Sequence, residues 1–79
     1  MIKRRFGKTN KWIPIEKGYP NEPRDTSELK QYIVTCRGFA GAIGLTYMGG
    51  GRFEDINGHD ELYDVIAWMP MPKVYGYKG

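Results

Sequence analysis

The apolar residues of this chain fall into short runs, and glycine or proline closes each one. Tyr32-Ile33-Val34-Thr35-Cys36 stops at Arg37-Gly38. Phe39 to Met48 is interrupted by Gly41 and Gly44 and stops at Gly49-Gly50-Gly51. Val65-Ile66-Ala67-Trp68-Met69 stops at Pro70, with Pro72 behind it. The first and last runs are rich in β-branched and aromatic residues, which suit a pleated, half-buried surface. Proline has no N–H to give, so Pro70 and Pro72 end the last ladder.

These runs predict a mainly β fold, a small antiparallel meander of three to four strands with at most one short helix. Arg37-Gly38 and the triple glycine supply hairpin turns, since glycine takes positive φ without cost to a side chain. In Phe39 to Met48 the odd positions Phe39, Ile43, Leu45 and Tyr47 share one face. The even positions Ala40, Ala42, Gly44 and Thr46 are small, which implies either a face that another segment approaches closely or a thin solvent face. Arg52-Phe53-Glu54 reads as a short further strand, and Asn57-Gly58 as a turn. Upstream, Trp12, Ile13 and Ile15 favour an extended piece that Pro14 confines to an edge. Asp25-Thr26-Ser27-Glu28 has the form of a capping box, with Asp25 as cap and Glu28 reaching back to its N–H. The expected organisation is a flexible basic arm over residues 1–10 and one small β-rich domain over 11–79. Trp12, Ile33, Val34, Phe39, Ile66 and Trp68 are the expected structural core.

A chain of 79 residues makes one domain with a thin core. One Cys and one His exclude an internal disulfide and a Cys/His structural zinc site; no metal and no cofactor is expected. No apolar stretch approaches the ~20 residues of a membrane helix. The basic start has no apolar core after it, unlike a secretory signal. The expected compartment is the cytoplasm, where an unpaired Cys36 stays reduced.

The net charge of +3 conceals two opposite clusters. Lys3, Arg4, Arg5, Lys8 and Lys11 stand together with no acid among them. Glu54, Asp55, Asp60, Glu61 and Asp64 stand together with no Lys or Arg among them. The basic cluster surrounds Phe6 and precedes Trp12, a pattern suited to phosphates and base stacking. The acidic cluster suits a basic protein surface.

Lys11-Trp12-Ile13-Pro14-Ile15, the β run at Tyr32 and the closing Trp68-Met69-Pro70-Met71-Pro72 resemble a phage and prophage family known as domain of unknown function 551. The resemblance spans about residues 11–73. It departs from the family in the long loop Tyr19 to Gln31, in the Ala/Gly-rich stretch Ala40 to Gly44 and in the basic arm. It implies a compact β-rich domain of viral origin and carries no activity with it.

Catalytic sets are weak. Cys36 and His59 form the sole Cys/His pair, and Cys36 reads as a small core hydrophobe. Asp60, Glu61 and Asp64 read as solvated acids rather than a glycosidase pair. The glycines from Gly38 to Gly44 lack the Gly-Lys-Ser/Thr of a phosphate loop. The expected protein is therefore not an enzyme. The leading expectation is a phage accessory protein that binds a host bacterial protein or nucleoprotein complex, as an anti-CRISPR-like inhibitor of a defence complex. The acidic residues Glu54, Asp55, Asp60, Glu61 and Asp64 are its candidate contacts. The alternatives are a nucleic-acid-binding module using Lys3, Arg4, Arg5, Lys8 and Lys11, and a nucleotide-binding sponge, with a homo-oligomer admitted and a membrane partner not expected.

Overall fold

A computed structural model describes residues 11–72. Its framework is one five-stranded antiparallel sheet: β1 (Ile13–Pro14), β2 (Lys30–Cys36), β3 (Ile43–Gly49), β4 (Arg52–Glu54) and β5 (Val65–Pro70), in the order β1-β5-β2-β3-β4. The expected meander is confined to β2-β3-β4. β5 then returns to the free side of β2, and β1 pairs on its outer edge. β2 is thus central, hydrogen-bonded to β3 and β5. The expected short helix is two 3-10 turns, Ile15–Lys17 and Thr26–Glu28. Among the described residues no helix is long and apolar enough to cross a membrane.

Register explains which residues form the core. Val34 lies opposite Ile43 on one side and Trp68 on the other. Tyr32 lies opposite Leu45, and Tyr47 opposite Phe53. These residues share one face, and Val34, Cys36, Leu45, Tyr47 and Phe53 are buried there as a cluster. Trp68 is half-buried against it, packs edge-on to Tyr32 at 5.3 Å and gives its indole N–H to the Gly18 carbonyl at 2.9 Å.

Three expected core residues are exposed instead: Trp12 at 39%, Phe39 at 44% and Ile66 at 36%. Trp12 precedes the edge strand and has no neighbouring strand to cover it. Phe39 lies in the β2–β3 connection, because β3 begins only at Ile43. Ile66 is displaced by an irregularity: Thr35 pairs with Ala67 but Cys36 pairs with Val65, so Ile66 is the extra residue of a bulge. Val65 takes the place on the core face that simple alternation assigns to Ile66. Ile33 is half-buried on the opposite face, across from Gly44 and from the buried Met69. The small residue at Gly44 matters there, since a Cβ would come within 3.3 Å of Met71 Cε. Of the small even positions Gly44 is thus closely approached, while Ala40 and Ala42 precede β3 and are exposed.

The long connection between the two 3-10 turns is fastened to the β3–β4 turn. Gly49, Gly50 and Gly51 all have positive φ, at 96°, 62° and 84°. Their backbone faces Glu22, whose carboxylate accepts the Tyr47 O–H at 2.6 Å and the Gly50 N–H at 2.8 Å. The Tyr47 oxygen in turn accepts the Gly51 N–H at 2.9 Å. Tyr19 stacks on Tyr47 with ring centroids 6.0 Å apart. A Cβ at Gly49 would meet Glu22 Oε1 at 3.0 Å and one at Gly51 would meet the Tyr19 ring at 3.2 Å. The glycines therefore answer both the φ values and the space. Nearby, Asp25 caps its turn by accepting the Ser27 N–H, while Glu28 reaches back to Arg24 N–H at 2.9 Å, one residue before the expected Asp25.

Two outcomes follow from this packing. Leu45→Ala should cost about 2–5 kcal/mol, a large share of the roughly 5–15 kcal/mol that holds a domain folded, measurable as a lower urea midpoint. The Tyr47 hydroxyl, and next the Gly50 N–H, hold the Glu22 carboxyl below its ordinary 4.5. Its contribution is thus complete above the unfolded value and lost as pH falls through the lowered native value. Glu22→Gln should remove that part of the acid dependence, so the difference between the two stability–pH curves should shrink below about pH 4.5. A constant difference across that range would show that the Glu22 charge is not involved.

Candidate functional site

Between β4 and β5 the chain forms a loop, residues 55–64, that folds around one carboxylate. Asp55 Oδ1 accepts the N–H groups of Asn57 at 2.9 Å and His59 at 3.0 Å. Its Oδ2 accepts the Tyr63 O–H at 2.8 Å. The backbone closes the same circuit: Gly58 N–H donates to the Asp55 carbonyl and Asp55 N–H to the His59 carbonyl. Gly58 takes φ 81°, as the Asn-Gly turn requires. These bonds, the one from the His59 N–H first and that from Tyr63 next, hold the Asp55 carboxyl below its usual range. The same bond pushes the Tyr63 hydroxyl up. The Tyr63 ring lies 5.8 Å from Phe39, which braces this loop against the β2–β3 connection.

The five acids of the sequence cluster do come to one region, but they have different fates. Asp55 is the internal brace. Glu54 pairs with Arg52 at 2.7 Å, and Asp60 with the same guanidinium at 3.3 Å. Asp64 pairs with Arg37 at 2.8 Å, and its carbonyl accepts the Arg37 N–H. Glu61 is exposed and has no Lys or Arg within ion-pair distance among the described residues. Exposed pairs of this kind add little stability. Their effect is on the field: two arginines among five carboxylates leave the loop acidic but weaken it.

Sequence reasoning missed the two apolar side chains that this loop presents. Ile56 is 97% exposed and Leu62 is 61% exposed. Ile56 sits directly after the bracing Asp55 and before Asn57-Gly58, so a turn holds it outward. The available signal was an isoleucine beside a turn dipeptide in an otherwise polar segment.

Of the basic candidates, Lys3, Arg4, Arg5 and Lys8 lie outside the described residues; Lys11 is exposed. Cys36 is buried beneath the sheet face, and burial, then the nearby Asp64 charge, pushes its thiol up, away from the nucleophilic thiolate. His59 is exposed, and only its backbone takes part in the loop circuit. Among the described residues no three His, Cys, Asp or Glu side chains gather as metal ligands.

Comparison with protein-family models, with curated proteins and with solved structures finds no match for this chain.

The Asp55 circuit predicts a local effect. Asp55→Ala should speed amide exchange at Asn57 and His59 while the amides of β2, paired on both sides, stay protected. Unchanged exchange at those two amides would mean that the backbone turn alone holds the loop.

Proposed function

We propose that this protein is a non-enzymatic binding protein that seats the 55–64 loop on a macromolecular partner with a basic surface. The observation that carries this reading is Ile56, an aliphatic side chain 97% exposed on a loop fixed by Asp55. A hydrophobe held outward loses little entropy on docking, because its backbone is already in place. An apolar anchor surrounded by charge has the anatomy of an interface core with a polar rim. Glu61, with the partly compensated Asp60 and Asp64, supplies an acidic rim that steers a basic partner. The acidic rim favours a basic, nucleic-acid-binding surface, and with a phage origin the partner we propose is a host complex of that kind and the consequence inhibition of a defence complex.

Pull-down from a nuclease-treated bacterial lysate tests this reading with three proteins: the parent, Ile56→Asp and Glu61→Lys. Neither side chain is buried, so both variants should melt with the parent. The parent should retain discrete proteins after nuclease treatment, Ile56→Asp should lose them, and Glu61→Lys should retain less and with weaker salt dependence. If both variants retain the same proteins as the parent, the loop is not the contact. If nuclease abolishes all capture, the partner is nucleic acid and the reading fails.

A further inference from the structure

At the other end of β2 the sheet carries a second feature that the loop does not use. An open cleft of about 600 Å³ lies where β2 begins and β5 ends, with Tyr19, Tyr32, Trp68 and Pro70 as its apolar wall. Its rim holds Asn21, Lys30 and Gln31. That volume falls within the roughly 300–1,000 Å³ of small-ligand sites. Tyr32 and Cys36 are four positions apart on β2, so the cleft and the acidic loop are separated by ~13 Å of strand.

The wall favours a flat ligand. Tyr32 and Trp68 meet at 82° and form a corner of two rings. Tyr19 has one ring face toward Tyr47 and is about half exposed. The Trp68 indole N–H is already committed to the Gly18 carbonyl, so it offers a ligand its ring and no donor. A polyproline peptide carries unpaired carbonyls that call for such donors. A planar heteroaromatic ring needs only a stacking surface, and any base provides a π-face.

The rim adds the complementary chemistry. Asn21 is an exposed amide with donors and an acceptor, as a nucleobase edge requires, whereas the Gln31 side chain alternates to the Ile33 face of the sheet. Lys30 is exposed and has no carboxylate within ion-pair distance among the described residues. Lys30 acts on the Glu28 charge without contact, while Glu28 is held by the Arg24 guanidinium at 2.6 Å and Glu22 by Tyr47 and Gly50. Lys30 is therefore a cation available to an anionic group at the mouth of an aromatic cleft.

We propose that this cleft binds a nucleotide, with the base against the Tyr32–Trp68 corner, its edge at Asn21, and the phosphate at Lys30. A free mononucleotide and a residue of a single strand share this chemistry. The inference does not depend on the loop, and the loop variants leave the cleft intact.

Trp12→Phe leaves Trp68 as the sole indole, so its fluorescence reports the cleft. This protein is titrated with AMP, CMP, GMP and UMP, with a short single-stranded DNA and with an oligoproline peptide. Saturable quenching by a mononucleotide supports the proposal with a free nucleotide as ligand; saturation by the oligonucleotide alone supports it with a single strand as ligand. In either case Lys30→Ala should weaken binding roughly tenfold, the loss expected for one charge-assisted contact, and Asn21→Ala should change the preference among bases. Both side chains are exposed, so an unchanged melting curve separates loss of binding from loss of fold. No saturation by any nucleotide or oligonucleotide overturns the proposal, as does saturation by oligoproline alone. Affinity unchanged by Lys30→Ala and Asn21→Ala overturns it as well.

Discussion

The Glu22 carboxylate ties together the parts of this molecule that the sheet alone cannot hold. It accepts one bond from Tyr47 on β3 and one from Gly50 in the β3–β4 turn. The chain between β1 and β2 has only two short 3-10 turns of its own, too little local structure to fix its path. Docked through Glu22, it sets Tyr19 on Tyr47 and brings the Gly18 carbonyl to the Trp68 indole. Both contacts lie over the buried cluster. A small antiparallel sheet with one apolar face needs a cover on that face, and here irregular backbone contributes it through a few directed polar bonds rather than through a helix.

The arrangement of charge shows how folding changes what a sequence count implies. Along the chain the acids from Glu54 to Asp64 have no base among them. In the fold, Arg52 projects from β4 to Glu54 and Asp60, and Arg37 reaches Asp64 from the end of β2. Asp55 is turned inward to organise the loop. The segment is therefore less a cloud of negative charge than a braced scaffold whose outward side chains include Ile56, Leu62 and Glu61. Long-range attraction weakens with each pair formed, whereas the defined shape of the loop gains from the same pairs.

The strands were legible because they are locally consistent. Tyr32 to Cys36 and Val65 to Met69 carry β-forming residues and end at glycine or proline, and the structure extends them only to Lys30 and Pro70. The Gly49-Gly50-Gly51 turn was equally clear, since three glycines in succession leave few other readings. The core was read less well. Trp12 and Phe39 were placed inside on size, yet burial depends on having a neighbouring strand, and neither lies within the paired region. Ile66 was misplaced because a bulge is a property of two strands, and β5 by itself reads as unbroken alternation. Glu22 gave no signal, as its partners lie 25 and 28 residues away. The acidic residues of the candidate site were visible as a cluster. Their pairing and the outward Ile56 were not, because both depend on how the loop closes.

A sheet this small has little interior in which to build a site, so its chemistry falls to the two ends of the central strand. At one end the β4–β5 loop is stiffened by Asp55 and presents a convex apolar point. At the other, the Glu22-anchored connection and the Tyr32–Trp68 corner enclose a concave one. Convex anchors suit the pocket of a large partner, and concave aromatic clefts suit a small flat group. The two features share the β2–β5 pairing, since Arg37 and Asp64 close the first while Tyr32 and Pro70 border the second, and Tyr19 lines both the cleft and the hollow beside Asp60, Tyr63 and Asp64. Val34, opposite Trp68 and wholly buried midway along that pairing, holds both ends to one frame. Coupling between the ends has two routes, the Tyr19 ring and this ladder, whose register shifts at the Thr35–Cys36 bulge.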